Sequence, residues 1–226
     1  MKRLIVAIDG PAGAGKSTVA KRVAKELGYT YMDTGAMYRA FAWKVKQRGI
    51  EPEDGEKLRA ALRQTKIELA ERDGNLKILL DGEDVTAQIR TPELSQWASK
   101  VSALKPVRER MVELQRAMGA QGGVVAEGRD IGTVVFPQAE VKIYLDAASG
   151  ARAQRRFDEL TSQGKQVNLE ETFEEMEQRD RRDKERDVAP LRKAEDAIVI
   201  DSTGLSVDGV VNRVMREVEK KISAIH

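Results

Sequence analysis

An apolar run followed at once by a glycine-rich loop is the feature that most limits how this chain can fold. Residues 4–8 read LIVAI, and residues 10–17 read GPAGAGKS, which fits the pattern G-x-x-x-x-G-K-[ST]. Such a loop turns several backbone N–H groups toward one point, and the helix that follows adds the positive end of its dipole. The pattern therefore predicts a strand, a phosphate-binding loop and a helix in direct succession.

The same loop predicts a site for a nucleoside triphosphate together with Mg²⁺. The Lys16 ammonium would reach the β and γ phosphate oxygens, and the Ser17 hydroxyl would contact the metal. The residues assigned to donor binding from this pattern are Gly10, Pro11, Ala12, Gly13, Ala14, Gly15, Lys16, Ser17 and Thr18.

Short β-branched runs alternate with segments of helical period along much of the chain, as in a parallel sheet with crossover helices. Strands are predicted at 4–8, 123–126, 141–145 and 197–200. Helices are predicted at 15–27, 35–48, 92–103, 106–119, 149–163, 170–186 and 206–222, with Asn168 as the N-cap of the sixth. The predicted fold class is α/β, with a P-loop NTPase-type parallel sheet core flanked by helices.

One segment departs from this alternation. Between about 50 and 90, two alternating runs flank Asp73-Gly74-Asn75, which is a hairpin signature. Antiparallel material inside a parallel fold indicates an insertion. We place it at 35–105 and expect it to move relative to a core formed by 1–34 and 106–226.

Composition excludes several classes of protein. The 226 residues carry 39 basic and 37 acidic side chains, a net charge of +2, which is unlike the cationic surface of a nucleic-acid-binding protein. There is no cysteine, hence no disulfide or thiolate metal site, and the only histidine is the last residue. No stretch approaches 18 apolar residues. We expect a cytoplasmic monomer that binds neither nucleic acid nor membrane.

Arginines are concentrated in the segments that follow the predicted strands. Arg129 follows the strand at 123–126, and Arg179, Arg182 and Arg186 share one side of a helix at spacings of three and four residues. A solvated helix face is the ordinary explanation of such a pattern, because surface ion pairs are common and weak. The alternative is a face that binds a phosphate and a ribose, with Asp183 beside it.

Triphosphate binding alone leaves the reaction open. A GTPase would carry Asn-Lys-x-Asp after a later strand, and that tetrapeptide is absent from the sequence. A motor or transporter ATPase would present an apolar strand that ends in an acidic metal ligand. The nearest equivalent here, Val124 to Glu127, continues into Gly128-Arg129-Asp130 and so suggests a second anion.

Longer strings resemble the bacterial cytidylate kinases, a branch of the nucleoside monophosphate kinases. The resemblance runs nearly end to end. It is carried by the glycine loop, DTGAMYR at 33–39, LDGEDV at 80–85, IRTPE at 89–93, GRDIGTVVFP at 128–137, and Arg179-Asp180 through VAPL at 188–191. It implies transfer of the γ-phosphoryl group of ATP to CMP or dCMP. It further implies that the 35–105 insertion binds the monophosphate and that 149–187 forms a short helical lid.

The resemblance also implies roles for individual residues. Positions that match acceptor-phosphate ligands are Thr34, Arg39, Arg129 and Arg186. Positions that match readers of cytosine are Ser99, Arg108 and Asp130, with Ser102 as the alternative to Ser99, and those that match sugar ligands are Arg179 and Asp183. Arg155 and Arg156 match lid arginines that close over the ATP phosphates. The residues expected to act in catalysis are Lys16, Arg39, Arg129, Arg155 and Arg186.

Two other functions stay open at this point. One is a kinase for another small acceptor, such as UMP, AMP or shikimate, which a panel of acceptors would distinguish. The other is a non-enzymatic ATP-binding module, which would bind ATP without acceptor-stimulated turnover.

Overall fold

The computed structural model describes residues 3–72 and 75–225, and these divide into two compact units. The first unit is Met1–Tyr31 with Gln121–His226, and the second is Met32–Ala120. The predicted hairpin turn at 73–74 and the terminal histidine lie outside the described residues. In chain order the elements are β1 (Ile5–Asp9), α1 (Lys16–Leu27), β2 (Thr30–Asp33), α2 (Thr34–Gln47), α3 (Gly55–Arg63), β3 (Ile67–Arg72), β4 (Asn75–Leu80), β5 (Glu83–Asp84), α4 (Pro92–Ser102), α5 (Lys105–Gly119), β6 (Val124–Gly128), a π-helical turn (Ile131–Val135), β7 (Val141–Asp146), α6 (Ser149–Ser162), α7 (Leu169–Glu185), β8 (Ile198–Asp201) and α8 (Val207–Ile225).

A five-stranded sheet in the order β2-β6-β1-β7-β8 forms the centre of the first unit. β1 pairs in parallel with β6 on one side and with β7 on the other, so that Asp9 lies beside both Gly128 and Tyr144. The carboxyl ends of these three strands therefore meet at one edge of the sheet. This register brings the loops that follow β1 and β6 together, as expected for a ligand-binding edge in an α/β fold.

Local sequence explains where the helices of this unit begin and end. α1 follows the glycine loop, buries Val19 and Val23, and ends at Gly28, which adopts φ +62°. α7 begins after Asn168, whose side chain accepts from the N–H groups of Glu170 and Glu171, as predicted. Among the described residues, no helix is both long and apolar enough to cross a membrane.

The second unit contains the predicted antiparallel sheet, with β3 paired to β4 and β4 to β5. Its core includes the fully buried Phe41, and Trp43 and Trp97 pack against that core. The helix α5 belongs to this unit because Val107 and Met111 are buried in the same core. The unit therefore extends to Ala120, further along the chain than the predicted insertion at 35–105.

Three elements depart from the sequence-based expectations. α3 forms in the segment expected to hold only antiparallel strands, with Asp54 accepting from Lys57 N at its start. β2 takes an edge of the parallel sheet although its four residues form no apolar run. The strand β6 is followed by a π-helical turn that no periodicity indicated.

Candidate active site at the carboxyl edge of the sheet

The glycine loop between β1 and α1 has the geometry of an anion cradle. Gly10, Gly13 and Gly15 all have positive φ, between +72° and +149°. A Cβ on Gly10 would lie 2.0 Å from the carbonyl oxygen of Leu145, whereas a Cβ built on Gly15 would meet no described residue within 4 Å apart from its two chain neighbours. One side of the loop is thus pressed against β7, and the other side has room for a ligand.

Lys16 lies at the start of α1 with its side chain buried. Its Nζ donates to the carbonyl oxygen of Pro11 at 2.6 Å, so the Lys16 side chain folds back over the loop. Burial lowers the pKa of Lys16 to about 7, and the positive charges of Arg129 and Arg179 act in the same direction. An anion bound in the loop would favour the charged ammonium, so this environment fits a phosphate group.

From the lowered pKa of Lys16 we predict how the free energy of unfolding depends on pH. Between pH 7 and the ordinary pKa of 10.5, the unfolded chain binds a proton that the folded chain has lost. The free energy of unfolding should therefore rise with pH over this range, by roughly 1.4 kcal/mol per pH unit at most. Denaturant unfolding at several pH values would show this rise in the wild type and a smaller rise in Lys16→Met. Parallel curves for the two proteins would contradict the assignment.

The first turn of α1 offers hydroxyl groups for a metal ion. Ser17 and Thr18, which directly follow Lys16, are both exposed. The acidic end of β6, by contrast, is enclosed: Glu127 is buried and accepts a hydrogen bond from the Tyr31 hydroxyl. A hydroxyl is an oxygen ligand of the kind that Mg²⁺ prefers, so Ser17 is chemically suited to that ion.

The strand end after β6 and the last turns of α7 bring together five residues predicted from the sequence. Arg129 Nε donates to Asp183 Oδ2 at 2.8 Å, and Arg186 Nη2 lies 3.6 Å from Asp130 Oδ1. Burial raises the pKa of Asp183, but the nearby charges of Arg129, Arg179 and Arg186 outweigh that effect and hold it below its usual value. With Arg179 these residues form the arginine group, three guanidiniums and two buried carboxylates, which can bind an anion and polar hydroxyl groups together.

The two predicted lid arginines have different surroundings. Arg155 donates to Ser202, through Nη1 to the hydroxyl at 3.0 Å and through Nη2 to the carbonyl oxygen at 2.5 Å. The Ser202 hydroxyl in turn donates to the carbonyl oxygen of Ala14 in the glycine loop at 3.2 Å. Arg156 pairs instead with Glu159 on the same helix, at 2.7 Å. Arg155 is therefore linked to the loop, and Arg156 lies on a more exposed part of α6.

The remaining candidates lie in the second unit. Arg39 forms an ion pair with Asp33 at 3.2 Å, and the buried Thr34 lies between them in sequence at the start of α2. Arg108 is fully buried, donates to the carbonyl oxygen of Ser102 at 3.2 Å and lies 5.4 Å from the centroid of the Tyr38 ring.

The two serines of α4 can now be told apart. The Ser102 hydroxyl donates to the carbonyl oxygen of Ser99 at 3.0 Å. The buried Ser99 hydroxyl, within the part of the chain that the structure describes, has no hydrogen-bond partner. A buried polar group without a partner is costly, so Ser99 is the better candidate for a ligand contact.

Sequence reasoning missed Asp9, which ends β1 next to the glycine loop. Its buried carboxylate accepts from Ile131 N at 2.8 Å and Gly132 N at 2.7 Å, tying the loop to the turn after β6. Burial raises the pKa of Asp9 to about 6, although those two N–H groups lower it. An acidic residue at the end of an otherwise apolar strand was the available signal.

Comparisons with known proteins point to one family. A family model described as cytidylate kinase matches residues 6–220. The cytidylate kinase of Caldicellulosiruptor bescii is 51% identical over 215 residues, which cover 95% of this chain and 95% of that protein. The cytidylate kinase of Carboxydothermus hydrogenoformans is 50% identical over 216 residues, covering 96% of this chain and 97% of that protein.

A solved structure of an uncharacterized protein from Eubacterium ventriosum ATCC 27560 is similar in fold alone, with a TM-score of 0.50, 13% identity, and coverage of 96% of this chain and 99% of that chain. The sequence matches extend over nearly the whole chain and include the glycine loop and the arginine group after β6 and on α7. Identity near 50% over that length shows common descent as well as a common fold. The chain belongs to the cytidylate kinase family.

Proposed function

We propose that this protein transfers the γ-phosphoryl group of ATP to CMP or dCMP and releases ADP with CDP or dCDP. The observation that carries the proposal is that the glycine loop after β1 and Arg129 after β6 lie at the same edge of the sheet. Arg129 and Arg179 of the arginine group lie near enough to Lys16 of the glycine loop to lower its pKa. A ligand with many negative charges would neutralise these cations, as phosphoryl transfer requires.

On the donor side, the loop N–H groups and the Lys16 ammonium would bind the triphosphate. ATP supplies the transferred group, and Mg²⁺ held by Ser17 would neutralise part of its charge. The loop residues from Gly10 to Thr18 orient the donor, while Arg155 and Arg156 would close over its phosphates. The open side of the loop at Gly15 supports this assignment.

On the acceptor side, Arg129 and Arg186 would bind the α-phosphate oxygens, and Arg179 with Asp183 would bind the sugar. In the second unit, Thr34 and Arg39 would contribute to the phosphate, and Ser99 and Arg108 to the base. A phosphate oxygen is already anionic, so its attack on phosphorus requires no general base. The protein's contribution is position and charge, which are the main demands of phosphoryl transfer.

Asp130 would read the base. Cytosine presents an amino donor where uracil presents a carbonyl acceptor, and a carboxylate accepts from the first and repels the second. We further propose that the protein acts as a monomer in the cytoplasm, and that the lid at 149–187 and the unit that contains 35–105 move to exclude water during the reaction.

A panel of acceptors tests the proposed function. ADP release should depend on an added monophosphate, with CMP and dCMP giving the highest kcat/KM and UMP and AMP much lower values. If UMP or AMP were preferred, the protein would be a kinase for another nucleotide. If ADP release were independent of every acceptor in the panel, the proposed transfer would be wrong.

A further inference from the structure

The Ala12 peptide of the glycine loop is held by two side chains from outside the loop. Ala12 N donates to Asp180 Oδ1 at 3.2 Å, and Ala12 O accepts from Arg152 Nη1 at 2.9 Å. Arg152 lies on α6 and Asp180 on α7. A single residue of the loop is therefore hydrogen-bonded to both helices of the predicted lid.

These two side chains also form an ion pair in the interior. Arg152 is 6% exposed and Asp180 is 3% exposed, and their Nη1 and Oδ2 atoms are 2.5 Å apart. Arg152 Nε donates to the carbonyl oxygen of Ala147 at 3.0 Å, which fixes the plane of the guanidinium. A buried ion pair stabilises a protein little more than apolar side chains of similar size would. The Arg152–Asp180 pair is therefore a candidate for a role other than stability.

Packing at Gly13, the residue after Ala12, leaves the glycine loop little room to move. A Cβ on Gly13 would lie 2.7 Å from Met176 Cε and 2.8 Å from the carbonyl oxygen of Arg152. The two helices thus contact the loop backbone directly at the position after Ala12. Movement of the loop relative to α6 and α7 would require the two hydrogen bonds of Ala12 and this contact to break together.

We propose that Arg152 and Asp180 are positioning residues that fix the distance between the donor loop and the acceptor-binding side of α7. Asp180 directly follows Arg179 and lies one turn before Asp183, so the residue that holds Ala12 is part of the same rigid helix as the proposed sugar ligands. The inference rests on the proposed function, because it concerns the alignment of donor and acceptor in that reaction. A misplacement of about 1 Å can lower the rate of such a transfer about 100-fold.

The test compares Asp180→Asn with Glu177→Gln, a matched control on the same helix. Glu177 also approaches Arg152, with 3.7 Å between its Oε1 and Nη2, but it is half-exposed and has no bond to Ala12. We expect Asp180→Asn to lower kcat for CMP at least about 10-fold while KM for CMP changes less than about threefold. Hydrogen exchange of the Ala12 amide should accelerate at least about 10-fold in this variant, and both quantities should stay near wild type in Glu177→Gln.

Arg152→Lys provides a second test of the inference if Asp180→Asn fails to fold. Lysine keeps a positive charge beside Asp180 but lacks the planar fork that reaches Ala12 and Ala147 together, so the same two changes are expected. A normal kcat for the folded protein, or unchanged exchange at Ala12, would overturn the inference whatever the change in melting temperature. If the wild type and Glu177→Gln were inactive with CMP, the proposed function would fail, and exchange at Ala12 would still decide whether the pair holds the loop.

Discussion

Replacement of Lys16 with methionine should lower kcat for CMP phosphorylation about 1000-fold or more. The ammonium is the cation that the glycine loop itself supplies, and its Nζ donates a hydrogen bond to Pro11 O of that loop. Methionine has a similar length and no charge, so the developing negative charge on the transferred group would lose a direct partner. Steady-state kinetics with ATP and CMP measure the effect.

The matched control is Lys25→Met, which removes an exposed ammonium from the last turn of the same helix. That variant should keep kcat and KM near wild-type values. Lys16→Met should also fold, because it replaces a buried group whose charged form is disfavoured by its surroundings. Folded Lys16→Met with nearly normal turnover would contradict the role assigned to Lys16.

Replacement of Asp130 with asparagine should lower the ratio of kcat/KM for CMP to kcat/KM for UMP by about 10-fold to 100-fold. The carboxylate can only accept hydrogen bonds, which suits the amino group of cytosine, whereas an asparagine amide can also donate to the carbonyl oxygen of uracil. The side chain is buried, with Arg186 Nη2 3.6 Å from Oδ1, so the amide would be held in nearly the same place. Parallel assays with the two monophosphates give the ratio.

Asp187→Asn serves as the control, since Asp187 is exposed and adjacent in sequence to Arg186. It makes the same chemical change in the same region without altering the proposed base contact. The ratio should stay at the wild-type value in this control. An unchanged ratio in Asp130→Asn would assign base recognition to other residues, with Ser99 and Arg108 the next to substitute.

The elements that could be predicted from the sequence are those whose local pattern agrees with their final environment. β1 is apolar along nearly its whole length because both of its faces are covered, and α1 begins where the glycine loop ends. β2 could not be predicted in this way, because Thr30 is exposed and Tyr31 is half-buried at the sheet edge. Its strand conformation depends on pairing with β6, which is distant in the sequence. α3 was missed because the hairpin signature beside it dominated the interpretation of the whole segment.

Some residues of the candidate site could likewise be predicted from local spacing, and others could not. The spacing of Arg179, Arg182 and Arg186 indicated a shared helical face with Asp183 beside it. The structure brings Arg129 together with Arg179 and Arg186 around Asp183. Asp180 lies among alternating charges that look like solvated surface, and only the packing of α7 against the glycine loop buries it. Roles that arise from packing between distant segments have no local pattern and require the structure.

Transfer of labelled phosphate tests the central proposal most directly. ATP labelled at the γ position is incubated with CMP and the protein, and the products are separated. The proposed function predicts that the label appears in CDP, in amounts equal to the ADP formed, with little inorganic phosphate. Label found only in inorganic phosphate, or retained entirely in ATP while the protein is folded, would contradict it.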